Sequence, residues 1–150
     1  MIKRHCVLFM LFNKKTEYSI KILLFMAERK NNSFINAGEI AAAVKLPKEF
    51  LSKILQTLTH FGIVDSQKGK GGGFRLGVSS DQIKLIELIN AFEDDTFFNN
   101  CIIGMYKECR GCKCPMHDNW ESLKEEMKNS YLIDIPTSKN FLHINQTNNS

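Results

Sequence analysis

No apolar run in this chain approaches the length of a bilayer span, so the sequence offers no transmembrane helix. Proline occurs three times and tryptophan once, and no internal repeat runs through the chain. The formal net charge is only +4, a mild tilt toward polyanions that proves nothing alone. Local clustering of charge must therefore decide whether the chain meets a polyanion. The four histidines (His5, His60, His117 and His143) are scattered, with no nucleophile–base pair, no carboxylate pair and no cofactor fingerprint around them. These absences argue against an enzyme.

What remains is an ordinary globular balance, 43% hydrophobic and 24% charged in 150 residues, enough for one domain and an appended element. Val7 to Phe12 is a short apolar stretch behind a basic tip, but Asn13-Lys14-Lys15 follows with no small-residue cleavage site. The expected location is the cytoplasm, with no membrane partner. Met10 offers an alternative start, which would make Met1 to Phe9 an extension. Four of the five cysteines (Cys101, Cys109, Cys112 and Cys114) crowd into fourteen residues, while Cys6 stands alone. In a reducing compartment such crowding points to a metal or redox site and not to structural disulfides.

Apolar residues recur at helical spacing from Thr16 to Arg29, with Thr16 and Glu17 at the expected start. Asn36 is placed to cap a short helix from Ala37 to Val44. Leu46-Pro47 then opens another, Lys48 to Phe61, with Phe50, Leu51, Ile54, Leu55 and Leu58 on one face. Its other face carries Lys48, Glu49, Ser52, Lys53 and Gln56. Two short helices joined by a brief turn, the second polar outside, form a helix-turn-helix pattern. Gly62 closes the helix. Ile63 to Gln67 and Phe74 to Leu76 then read as strands around the tip Lys68-Gly69-Lys70-Gly71-Gly72-Gly73. A hairpin placed there is a wing. Its glycines let backbone approach a sugar-phosphate chain, and Lys68, Lys70 and Arg75 bring positive charge. The glycines precede a strand and no lysine-serine pair follows them, which speaks against a nucleotide phosphate loop.

A further helix is expected from Asp81 to Phe92, an irregular cysteine-rich segment from Glu93 to Pro115, and a last helix from about Met116 to Tyr131. That last helix strings Trp120, Leu123, Met127 and Tyr131 along one stripe. The expected fold is mainly α with a small β-hairpin. Residues 10–80 would form the winged helix-turn-helix domain. Residues 81–135 would carry the final helices around a sensor loop at 93–118, leaving 1–9 and 136–150 as flexible ends, although Phe141, Leu142 and Ile144 could dock.

Four blocks in this order resemble the bacterial winged-helix regulator family of IscR, NsrR and CymR, the Rrf-two family. They are Asn13 to Tyr18, Leu46 to Leu51, Lys68 to Leu76, and Cys114-Pro115-Met116-His117 with Trp120; together they span roughly residues 10 to 135. The resemblance implies a homodimer on a palindromic operator in double-stranded DNA, with recognition helices in successive major grooves and wings near the minor groove. By matched position, Lys48, Glu49, Ser52 and Lys53 are the DNA contacts on the helix. Lys68 stands where relatives often carry a wing arginine, and lysine lacks arginine's bidentate fork. The stripe Trp120, Leu123, Met127, Tyr131 would be the dimer seam, set against the plain alternative of core packing within one chain.

The same resemblance makes Cys101, Cys109 and Cys114 ligands of an iron–sulfur cluster, of either the 2Fe-2S or the 4Fe-4S type. Their gaps of seven and four residues depart from the more even spacing of cluster-binding relatives. Cys112 is an extra thiol that can replace a neighbour, complete a four-cysteine set or act in redox exchange. Two residues compete as a fourth, non-cysteine ligand: His117, three positions after Cys114, and Glu17, matching an acidic residue that reaches the partner subunit's cluster. The expected function is a repressor whose operator binding is switched by the cluster. Two alternatives stay open: a cluster-free regulator answering a metabolite or partner protein, and a structural zinc site.

Overall fold

The computed structural model describes residues 12–29, 31–94, 96–103 and 114–132. Cys6, Cys109 and Cys112, the alternative start at Met10 and the two expected flexible ends lie outside the described residues.

Helix α1 (Lys14–Ala27) begins earlier than Thr16, because Asn13 is its cap. The Asn13 side-chain oxygen accepts from the Lys15 and Thr16 N–H groups at 2.8 and 3.1 Å. The helix ends two residues before the expected Arg29, with Glu28 as its C-cap. Helix α2 (Ala37–Val44) matches the expected span, and the Asn36 side chain accepts from the Glu39 N–H at 2.9 Å. Lys45 then takes the left-handed conformation, φ 54° and ψ 49°, which brings the Leu46 N–H to the Ala41 carbonyl at 2.9 Å. That single reversal sets the angle at which α3 (Lys48–His60) leaves. Pro47 stands at its N-cap, one position outside the helix, because its extended ψ of 140° lies outside the helical range.

Gly62, at φ 71°, ends α3 and sends the Ile63 N–H back to the Leu58 carbonyl at 3.0 Å. Ile63 is thereby occupied in the cap, so strand β1 starts one residue later than expected (Val64–Gln67). It pairs antiparallel with β2 (Gly73–Leu76), in the register Val64↔Leu76 to Gln67↔Gly73. The loop before α2 adds a bridge on the other edge of β2. Ile35 and Phe74 exchange both backbone hydrogen bonds, at 2.8 and 2.9 Å. Asn32, at φ 41°, adds a side-chain imitation of a strand, donating to the Leu76 carbonyl at 3.1 Å and accepting from its N–H at 3.2 Å. The wing is thus a sheet edge stitched to the α1–α2 connection.

Helix α4 (Leu85–Phe92) starts four residues later than the pattern from Asp81 implied. Lys84 is extended, at φ -89° and ψ 142°, because the backbone there pairs with the segment that follows α5. The Leu85 N–H donates to the Ser130 carbonyl at 3.0 Å, and the Leu132 N–H to the Ile83 carbonyl at 2.7 Å. Helix α5 (His117–Asn129) consequently stops short of Tyr131, which lies in an antiparallel bridge with Lys84.

The main core gathers Ile22 and Leu23 of α1, Ile40 of α2, Leu51, Leu55 and Leu58 of α3, and Leu88 of α4, all fully buried. Each such side chain contributes about 1.5–3 kcal/mol by leaving water. A second cluster, on the far side of α4, joins Leu85, Ile89, Cys101, Cys114, Trp120 and Met127.

Candidate nucleic-acid interface and cysteine centre

With its apolar side turned to the core, α3 presents Lys48, Glu49, Ser52, Lys53 and Gln56 to solvent. The Ser52 hydroxyl donates to the Lys48 carbonyl at 2.8 Å, so its lone pairs are what it can offer outward. Lys48 lies across the start of α2. A Cβ added to Gly38 would come within 3.6 Å of its Cε and 3.7 Å of its Nζ. Those are ordinary contacts; the tight neighbour of such a Cβ would be the Asn36 side-chain oxygen that caps α2, at 3.1 Å, and the linear pattern revealed neither.

At the wing tip, Lys68 and Lys70 are exposed, and Gly69 and Gly71 hold φ values of 94° and 78°. Arg75 differs from these lysines. Its guanidinium donates twice to Asp65 across the hairpin at 3.3 Å and rests over the Phe34 ring at 4.7 Å. Of the three wing cations expected to face DNA, the two lysines sit at the tip and the arginine is held on the strand.

The described residues bring two of the expected thiolate ligands together. Cys101 and Cys114, thirteen positions apart, are buried, with their sulfurs 3.9 Å apart. Aromatic rings surround them: Phe12 stacks on Phe97 at 5.7 Å, and Phe97 meets Phe98 and Trp120 edge-on at 5.0 and 6.2 Å. Two donors on α5 hold the backbone leading into Cys101. The Trp120 indole N–H reaches the Asn100 carbonyl at 3.1 Å, and the buried Lys124 ammonium reaches the Phe98 carbonyl at 2.9 Å. Lys124 also pairs with Glu121, whose carboxyl that hydrogen bond holds below its ordinary pKa.

A tetrahedral metal bound to two thiolates at about 2.3 Å sets their sulfurs about 3.8 Å apart. The Cys101–Cys114 spacing therefore suits two ligands of one metal atom. His117 opens α5, half-buried, with its backbone N–H on the Cys114 carbonyl at 3.0 Å. Among the described residues no group of three potential ligands closes around one point. Cys109 and Cys112 lie outside them.

Glu17 is otherwise engaged. Its carboxylate accepts from Lys14 at 2.8 Å and Lys21 at 2.7 Å on its own helix. Partial burial pushes its pKa up, but the hydrogen bonds and charges of the two lysines outweigh that and hold it below the ordinary carboxylate value. Nor do the four residues of the expected dimer seam form one exposed stripe. Trp120, Lys124 and Met127 share the inward face of α5 and are buried in their own chain. Leu123 is exposed, as are Ile102, Ile103 and Met116 nearby in sequence to the two cysteines. Tyr131 lies beyond the helix, its ring beside the Lys84 ammonium at 5.6 Å.

One connection escaped sequence reasoning altogether. The Glu93 carboxylate, at the end of α4, accepts from the Asn13 N–H at 2.8 Å and from the hydroxyl of buried Thr16. Asn13 in turn donates to the Phe92 carbonyl. The start of α1 and the threshold of the cysteine segment are thereby tied. Nothing in the local pattern links positions eighty residues apart.

A helix-turn-helix with a basic, glycine-tipped hairpin stitched to it defines a winged-helix DNA-binding transcription regulator. More narrowly, the chain belongs to the Rrf2 family, described as iron-dependent transcriptional regulators, which matches residues 12–132. It is 30% identical over 124 residues to an HTH-type transcriptional regulator of Aquifex aeolicus, covering 81% of this chain and 85% of that one. Identity to the HTH-type transcriptional regulator NsrR of Bacillus licheniformis is 33% over 94 residues, covering 63% and 66%. In fold it matches CymR, the global cysteine regulator of B. subtilis, with a TM-score of 0.65 at 21% identity, covering 82% of this chain and 93% of that one. IscR of T. potens gives 0.60 at 20%, covering 82% and 83%. These relatives are regulators and not enzymes. No helix among the described residues is long and apolar enough to cross a membrane.

Proposed function

We propose that this regulator acts as a homodimeric repressor whose grip on a palindromic operator is switched by an iron–sulfur cluster at the cysteine centre. The observation that carries this reading is the pair of buried thiols, Cys101 and Cys114, at metal-sharing distance inside an aromatic shell. Cys101, Cys109 and Cys114 would hold the cluster, with His117 as the remaining ligand and Cys112 as a substitute thiol. His117 is favoured over Glu17, because Glu17 would first have to leave two lysines. The cluster would supply a group that small oxidants or nitric oxide can destroy, and its gain or loss would reset the cysteine segment. In this scheme residues 10–80 read DNA, and residues 81–135 sense and dimerise.

Lys48, Glu49, Ser52 and Lys53 supply the candidate contacts on α3, and Lys68 and Lys70 those at the wing. Arg75 contributes indirectly, by bracing the hairpin. The exposed apolar side chains Ile102, Ile103, Met116 and Leu123 are better placed than Trp120 and Met127 to meet a second subunit. Half-site spacing on DNA is fixed by the dimer, so a change beside that surface alters affinity.

The test is anaerobic purification, with iron and sulfide assays, followed by titration of duplexes selected from a randomised library. Loaded and stripped protein should differ at least tenfold in affinity at one salt concentration, about 1.4 kcal/mol of coupling. Equal affinities would end the switching mechanism. A colourless protein that resists reconstitution would end the cluster reading, and retained zinc would put a structural site in its place.

A further inference from the structure

The sulfurs of Cys101 and Cys114 lie 3.9 Å apart, in hydrogen-bonding contact, and their residues are only 6% and 7% exposed. A disulfide bond is about 2.05 Å long, so closing one requires an approach of about 2 Å. Both cysteines lie outside the helices, Cys101 after Asn100 and Cys114 before Pro115, where backbone can adjust without breaking a helical turn. The two donors from α5 hold the chain that delivers Cys101, so the sulfurs meet by construction of the fold and not by chance encounter.

We propose that, in the metal-free protein, Cys101 and Cys114 form a reversible disulfide on exposure to hydrogen peroxide. One thiol attacks the peroxide oxygen, releasing water and leaving a sulfenic acid. The second thiol then displaces the hydroxyl as a second water, and the S–S bond forms. Two electrons pass from the sulfurs to the peroxide, and both thiol hydrogens leave in the water. Burial selects a small oxidant, since a bulky disulfide reagent has little access to either sulfur. The bond would occupy two sulfurs that a metal needs, so the oxidised chain could not take up metal through them until a thiol reduced it. This inference concerns the thiols alone and holds whether or not a cluster is ever bound.

The sequence makes the test clean. Trypsin separates all four clustered cysteines, placing Cys101 on residues 85–107, Cys109 on 108–110, Cys112 on 111–113 and Cys114 on 114–124. Full-length, metal-stripped, reduced protein is treated with peroxide, alkylated, digested and mapped by mass spectrometry. The expected product is peptide 85–107 joined to 114–124, about 2 Da lighter than the two thiol peptides together and reversed by dithiothreitol. Fluorescence of the single tryptophan, Trp120, which packs in the same cluster, should fall on oxidation and recover on reduction. The link should persist in Cys109→Ala/Cys112→Ala protein. Both cysteines carrying the alkyl label after peroxide would overturn the proposal, as would a bond joining either one to Cys109 or Cys112. Wild-type mapping decides the matter even if a variant fails to fold, and iron content of the untreated protein reports separately on the cluster.

Discussion

Gly73 is where the wing depends most sharply on having no side chain. Its φ is 147°, and a Cβ built there would lie 2.3 Å from the Ile35 carbonyl oxygen and 2.7 Å from its carbon. Those are backbone atoms, so the neighbour cannot swing aside as a side chain would. Gly73→Ala must therefore push Ile35 away from Phe74 and break the two hydrogen bonds, at 2.8 and 2.9 Å, that stitch the wing to the α1–α2 loop. Two such bonds are worth about 1–3 kcal/mol together. The unfavourable backbone region adds about 1–3 kcal/mol for alanine. A loss of about 2–6 kcal/mol is expected in urea unfolding, with part of it avoided if the hairpin detaches and the core survives. Gly69 and Gly71 provide the control, since they share positive φ but have nothing within 4 Å of an added Cβ. Alanine at either should cost about 1–2 kcal/mol, from backbone strain alone. Operator affinity should follow the same order, because a detached wing cannot present Lys68 and Lys70. A Gly73→Ala protein as stable as Gly69→Ala, with the same affinity, would refute the stitching argument.

Asn32→Ala should cost about 1–3 kcal/mol in thermal unfolding, because Leu76 loses both of its side-chain partners; an unchanged midpoint would show that water replaces them freely. Removing Lys53 or Lys70 should flatten the dependence of log affinity on log salt by about one unit each, as one phosphate contact is lost. Arg75→Ala should instead lower stability through lost contact with Asp65 and Phe34, with little change in that slope. Glu17, whose pKa is lowered in the folded chain, adds stability that is fully present above the ordinary carboxylate range and disappears as pH falls through its depressed value. Wild type should accordingly exceed Glu17→Gln in stability at neutral pH and converge with it in acid. A difference independent of pH would remove the ion pairs as its cause.

Elements whose signals are local were legible from the sequence. Asn36 and the helical spacing of Ile40, Ala41 and Val44 define α2 to the residue, and the lysine–glycine tip identifies the wing before any strand is seen. Shifts of a residue or two at α1 and β1 come from local caps, but the larger misplacements share a different cause: a distant partner intervenes. Helix α4 starts late because Ser130 and Leu132 claim the backbone of 83–85, and no periodicity within 81–92 announces that pairing. Tyr131 falls on the helical stripe by arithmetic, yet it serves a bridge to Lys84. The apolar spacing of Trp120 and Met127 is equally compatible with a subunit seam and an intrachain core, since both bury the same chemistry. Cysteine content singled out the centre, while the juxtaposition of Cys101 and Cys114 across thirteen positions required the fold.

The two bonds from α5 to the chain before Cys101 have a consequence for how this protein can vary. Trp120 and Lys124 both grip backbone carbonyls, of Asn100 and Phe98, and a carbonyl is the same whatever side chain it carries. The instructions that position a buried sulfur are thus spelled about twenty residues downstream of it, in a helix that contributes no thiol. Position 100 supplies only its carbonyl to Trp120, whereas a change at 120 or 124 would displace a cysteine it never precedes. A survey of substitutions confined to the cysteine segment would miss the residues that aim it.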